Sequence, residues 1–254
     1  MLEARGELAS ALSHCSESLA VLEAADEPDA TLRERLRTAI QGLHFELGDY
    51  EIALAQAIAL RDEAERERGP SHPRTGGMHL NVGRAAQALR QYALAESSAL
   101  RAAEIFRAAY GEHHRWVVSA WMNLGALRQA QDDAVGAEAA ARSALAACGE
   151  RRDAATARVL HNLAEARRTR GHAAEALVLE RVASIESEVL PVDHLQGVRT
   201  LHSRGNALLD LGRLDEAARA LAEARRVLQR GGTTDLAAID ESLARLERLR
   251  AAGR

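Results

Sequence analysis

The chain has 254 residues, of which 47% are hydrophobic and only 3% aromatic, and it carries a net charge of −4. An alanine- and leucine-rich core of that size suits close-packed helices and excludes a β-sandwich or barrel, which draws on β-branched and aromatic side chains. The charge excludes bulk attraction to nucleic acid or an anionic membrane, and no apolar run is long enough to span a bilayer.

Residues 2–25 predict a helix with Leu2, Leu8, Leu12, Cys15, Leu19 and Leu22 on one face. Within it Gly6-Glu7-Leu8 and Ala11 have the pattern of a turn and second helix, so the segment 1–27 is expected to be half a repeat. Asp26-Glu27-Pro28-Asp29 breaks the chain. Five complete helix pairs are expected over about 31–69, 74–111, 113–149, 153–190 and 193–231, followed by a capping helix over 234–250. The four prolines, Pro28, Pro70, Pro73 and Pro191, all fall between these units and none inside a helix, where each would cost ~3 kcal/mol.

A ladder of small residues fixes the register. Ala11, Ala53, Ala95, Ala137, Ala176 and Ala217 recur at intervals of 42, 42, 42, 39 and 41 residues. Seven residues after four of them stand Ala102, Ala144, Ala183 and Ala224. Repetition at this period marks a stacked helical repeat, and an alanine at the same place in each unit is what two closely crossing helices require. One array of this kind runs past ordinary domain size, so a single domain over 1–254 is expected.

Other composition is less specific. All 33 basic side chains are arginine, read as coding bias and not as a phosphate-binding device. Cys15 and Cys148 lie three repeats apart, beyond the roughly 7 Å limit for a disulfide, and read as small buried residues in a reducing compartment. The N-terminus lacks the basic and apolar regions of a signal peptide, so a cytoplasmic location is expected. No phosphate loop, His-Glu-x-x-His, Cys-x-x-Cys or nucleophile elbow is present. An enzyme, a cofactor and a metal are therefore not expected; His72, His113 and His114 read as loop histidines. Trp116 and Trp121 read as packing residues.

The first helices contain Asn81-Val82-Gly83, Trp121-Met122-Asn123-Leu124-Gly125 and Leu160-His161-Asn162-Leu163-Ala164. The turns contain Gly171-His172-Ala173-Ala174-Glu175-Ala176 and Gly212-Arg213-Leu214-Asp215-Glu216-Ala217, and Gly69-Pro70-Ser71-His72-Pro73 forms a connector. On these residues the chain resembles the tetratricopeptide repeat family, in its kinesin-light-chain-like variety of roughly 42 residues. The turn position departs from the family pattern at Arg90 and Asp132, and the fourth unit is three residues short. The resemblance implies an all-α, right-handed superhelical solenoid whose first helices line a concave groove that binds a peptide or another protein.

Helical angle then selects the groove face. It holds Leu80, Asn81, Arg84 and Gln87; Ser119, Met122, Asn123, Ala126 and Gln129; Arg158, His161, Asn162, Glu165 and Arg168; and Arg199, His202, Ser203, Asn206 and Leu209. Asn81, Asn123 and Asn162 occupy one equivalent place, two residues before a small Gly or Ala. An amide carries donor and acceptor together and pairs with an extended backbone whatever its sequence; alternatively it serves a helix junction. Arg158, Arg168 and Arg199 with His161 and His202 form a cationic strip. It reads either as a recogniser of an acidic segment or C-terminal carboxylate, or as a solvated face neutralised by Glu165 and Asp210. Met122 and Leu80 are candidate seats for an apolar anchor. The expected function is a protein or peptide interaction module. The alternative is a sensor domain, for a peptide or small ligand, of a larger signalling protein such as a kinase or transcription regulator. The N-terminal helix either pairs with a second copy or continues a chain that begins upstream; the phase running back through Gly6 favours the latter.

Overall fold

The computed structural model describes residues 2–25, 29–176, 178, 182, 185, 195–230 and 236–252. Among them there are eleven α-helices and no strand. The Asp26-Glu27-Pro28 break, Ala183, Leu190, Pro191, Asp193, Gly231 and Thr234 lie outside the described residues. The chain divides into two compact bodies, Met1–Leu127 and Arg128–Arg254.

The first body is built from α1 (Leu2–Glu23), α2 (Ala30–Leu47), α3 (Tyr50–Arg68), α4 (Pro73–Ala88), α5 (Tyr92–Tyr110) and most of α6 (Arg115–Ala130). Each of α1 to α4 packs on the next in sequence. α1 is continuous through Gly6, so the turn expected there is absent. Leu8, Leu12, Cys15 and Leu19 are half-buried. Pro73 opens α4 at its first position, where the missing amide hydrogen costs nothing.

The second body holds α7 (Ala134–Cys148), α8 (Ala154–Thr169), a 3-10 turn (Ala173–Ala176), α9 (Leu195–Asp210), α10 (Leu214–Arg230) and α11 (Ala237–Ala252). α7 packs on α8, α9 on α8 and α10, and α11 on both α9 and α10. Leu208, Leu209, Ala217, Leu221 and Leu246 form the core between the last three helices.

The alanine ladder lies where helices meet. Ala53, Ala102, Ala144, Ala217 and Ala224 are fully buried, and Ala95 and Ala137 are 2% exposed. Opposite Ala95, a side-chain carbon built on Gly83 would stand 3.4 Å from the Ala95 carbonyl oxygen and 3.6 Å from Ser98 Cβ. The backbones of α4 and α5 therefore approach at van der Waals distance, and only small residues permit it.

The turn inside each pair repeats with the ladder. Gly48, Arg90, Asp132, Gly171 and Gly212 all have left-handed φ, between 57° and 91°, and each stands five residues before a ladder alanine. The conformation is thus held even where a non-glycine residue bears a penalty of roughly 1–2 kcal/mol. Where the two flanking helices pack on each other, as α2 on α3, α4 on α5 and α9 on α10 do, that packing sets the turn, and its residue type follows only loosely.

Side chains cap the helices across the connectors. Asp29 Oδ1 accepts from the backbone N–H of Thr31 and Leu32 (2.8 and 3.0 Å), and Asp133 and Asp153 accept from Gly136 and Thr156, both at 2.8 Å. The connector histidines do the same work. His72 Nδ1 accepts from Arg74 N (3.1 Å) and His114 Nδ1 from Trp116 N (3.3 Å). Each satisfies an amide that the first turn leaves unpaired. Among the described residues no group of three or more His, Cys, Asp and Glu converges as metal ligands, and Cys15 and Cys148 are free thiols.

Candidate peptide-binding faces

In the first body Asn81, Met122 and Asn123 are half-buried and Arg84 is exposed. Asn123 shares a narrow crevice with Leu80, Gly83 and Gln87. Neither amide has a protein hydrogen-bond partner among the described residues. Arg84 is engaged: its Nη2 lies 3.3 Å from Glu46 Oε1, and its guanidinium sits 4.4 Å over the Phe45 ring. Leu80 is 8% exposed, so it belongs to the core and cannot seat an anchor.

In the second body the strip on α8 and α9 divides into two halves of different character. One half is saturated. Glu165 accepts from Ser203 Oγ (2.8 Å) and from Arg168 Nη2 (2.5 Å). Arg168 Nη1 also reaches Asp210 (3.3 Å), whose second oxygen accepts from Arg245 of α11 (2.7 Å). Burial pushes the Glu165 carboxyl up, but the bonds from Arg168 and Ser203 prevail and hold it below its ordinary range. Arg168 is thereby neutralised and has no free charge for a ligand. His202 lies 2.9 Å from Ser242 of α11, and Asn206 donates to the same ring (3.2 Å). His202 joins α9 to the last helix, Asn206 is bonded to its ring from one turn along α9, and neither stands open on a groove as helical angle suggests. Ser203 and Leu209 are likewise buried.

The other half is unsaturated. Arg158 and Arg199 are exposed, and neither has a carboxylate partner among the described residues. Asn162 on α8 is half-buried and has no hydrogen-bond partner among the described residues. His161 is 6% exposed, against the open position expected from helical angle, and its Nδ1 is buried without a hydrogen bond. Burial first, and then the Arg199 charge, push the His161 pKa below its ordinary value. At neutral pH it is a neutral ring with an unsatisfied nitrogen, close enough to the Arg199 guanidinium to feel its charge. An anionic group placed there gains charge-assisted bonds without first breaking an internal ion pair.

One site escaped the sequence altogether. Glu138, beside the ladder alanine of α7, is 2% exposed. It takes Arg142 at 2.5 Å, Arg167 at 3.4 Å and Arg170. Burial pushes its carboxyl up, but the three guanidiniums overcome this and hold it below its ordinary range. Only the Glu138–Arg142 pair, four residues apart on one helix, was legible locally.

No protein family and no curated protein matches the chain. Solved structures do. A putative kinesin light chain with nearly identical repeats from Podosopora anserina is 19% identical, with 79% of this chain and 96% of that one covered, at a TM-score of 0.68. BtubC (BKLC) from P. vanneervenii is 20% identical over 73% of this chain and 76% of its own, at 0.63. A Rap protein complexed with competence and sporulation factor is 16% identical over 92% and 69%, at 0.64. Identities this low speak to fold. The chain has the paired-helix fold of tetratricopeptide repeat proteins, and among them it resembles the kinesin-light-chain-like repeats.

Proposed function

We infer that this chain is a protein-interaction module that binds an acidic, extended peptide or partner segment, and that its work is binding and not catalysis. The observation that carries the reading is the set Arg158, His161, Asn162 and Arg199, unpaired among the described residues, while Arg168 is neutralised by Glu165 and Asp210. Arg158 and Arg199 supply charge, and the Asn162 amide supplies a donor and acceptor for backbone. Asn81 and Asn123 present the same chemistry in the first body. The Rap structure supports the same reading, because that protein of like fold was crystallised with competence and sporulation factor.

The test is fluorescence anisotropy with a labelled peptide rich in Asp and Glu, and with its Lys-substituted counterpart. Arg158→Ala and Arg199→Ala are each expected to weaken the acidic peptide by about tenfold, the measure of one charge-assisted bond. Equal binding of both peptides, or indifference to both substitutions, refutes the reading. The Rap likeness over 92% of this chain also favours a second reading, a sensor domain. In that case binding also changes the radius of gyration measured in solution; in a plain docking module it does not.

A further inference from the structure

The chain has only two Trp, three Tyr and two Phe, and three of these rings gather at one place in the first body. Phe106 and Tyr110 on α5 stack at 6.4 Å, and Phe106 and Trp116 stack at 5.8 Å. His114 stacks on Tyr110 at 4.2 Å, and the Arg115 guanidinium lies 5.0 Å over Trp116. Phe106 is core. Tyr110 and Trp116 are not: they are 48% and 39% exposed, although Trp116 was expected to be packing. They flank a 360 Å³ cleft with Pro73, Gly77, Arg68 and Arg74, within the size range of ligand pockets.

The floor of the cleft is the second observation. Gly76 and Gly77 stand side by side inside α4. Packing accounts for Gly76, whose side-chain carbon would lie 3.0 Å from the Phe106 ring and 3.1 Å from Ile105. Nothing in the fold accounts for Gly77, where a side-chain carbon would have no heavy atom within 4 Å. A glycine in mid-helix is unfavourable; here it leaves the cleft open.

The charge on the wall is the third. Arg68 and Arg74 both pair with the single carboxylate of Glu34, so one positive charge is left over. Ring edges add the positive end of the aromatic quadrupole. The ring faces are engaged with one another, which leaves little for a stacked nucleobase. Trp, Tyr and Arg around an open cleft are the residue types that a hot spot draws on once a partner covers it.

From this we propose a second docking site, separate from the α8–α9 strip. It takes an acidic peptide segment that seats an aliphatic side chain over Gly77 and places a carboxylate on Arg68 and Arg74. The test uses the full chain carrying Arg158→Ala and Arg199→Ala, so that the strip is disabled. Its probes are fluorescein-labelled peptides with a central leucine flanked by Glu and Asp, by Ser, or by Arg, and labelled oligo(dT). The acidic-flanked leucine peptide is expected to bind, and the others are not. Gly77→Met, which fills the cleft, and Tyr110→Ala, at an exposed position, are each expected to weaken it about tenfold. Gly77→Met is expected to keep or raise Tm, since any other helix former replaces glycine favourably; should it fail to fold, Tyr110→Ala carries the test. No binding in this background, binding indifferent to the cleft substitutions, or a preference for the Ser, Arg or oligo(dT) probe overturns the proposal. Loss of this site alone leaves the effect of Arg158 and Arg199 in the parent chain intact, so the two readings fail separately.

Discussion

Replacing Ala95 by leucine tests the packing of α4 on α5. Ala95 is 2% exposed, and its carbonyl oxygen would already stand 3.4 Å from a carbon on Gly83. Leucine adds three carbons at a position with no route to solvent. They are accommodated only by off-rotamer side chains or by parting the helices, at a cost of about 1–3 kcal/mol. The upper half of that range is expected, because backbone and not a flexible side chain lies opposite. In a chain of this length that lowers Tm by roughly 2–4 °C per kcal/mol. The assay is urea unfolding followed by circular dichroism, with Ala93→Leu on the exposed side of α5 as control, expected within about 0.5 kcal/mol of the parent. An array of repeats need not unfold in one step, so the comparison is between midpoints. Equal midpoints for Ala95→Leu and Ala93→Leu refute the close crossing.

Glu138→Gln leaves Arg142, Arg167 and Arg170 without their shared carboxylate and is expected to destabilise the second body. Because Arg142 and Arg170 keep solvent contact, about 2–4 kcal/mol is expected and not more; a change below about 0.5 kcal/mol in urea unfolding contradicts the assignment. Burial lowers the pKa of His79, with Glu65 only partly opposing it, and of His161. The unfolded chain then takes up protons first as pH falls. Stability is full above the ordinary histidine value of about 6.5 and is lost as pH drops from there towards the lowered folded values. Urea midpoints at pH 7.5 and 5.5 should show this loss, and His79→Leu should remove part of it; a midpoint that rises on acidification sinks the argument. Asn123→Ala with Asn162→Ala should weaken peptide binding and leave stability within about 0.5 kcal/mol. A loss of folding with unchanged binding would assign both amides to helix junctions.

The fold was legible because its strongest constraint is local and periodic. Ala53, Ala95, Ala137 and Ala217 announce a helix crossing by spacing alone, and burial of all four follows from it. Arg90 and Asp132 departed from glycine at the turn, yet they keep the same left-handed φ of 57°; around Arg90 the packing of α4 on α5 dictates it. The faces were less legible. Helical angle tells where a side chain leaves its own helix, and nothing of what the next helix lays over it. Leu80, His161, Ser203 and Leu209 therefore proved buried. Arg168 proved neutralised by Glu165 and Asp210, the second of the two readings its sequence left open, and His202 is claimed by Ser242, 40 residues away. Glu138 and the Tyr110–Trp116 cleft were missed for the same reason, because their meaning depends on residues from other helices.

The most direct measurement of the binding account is a two-dimensional 15N NMR titration of the whole chain with an acidic peptide, following side-chain amide and guanidinium signals. Asn162 NδH2 and the Nε–H groups of Arg158 and Arg199 are expected to shift at the same peptide concentration, while Arg168, locked to Glu165 and Asp210, stays in place. Saturable binding that moves Arg168 and leaves Arg158, Asn162 and Arg199 unmoved would contradict this expectation.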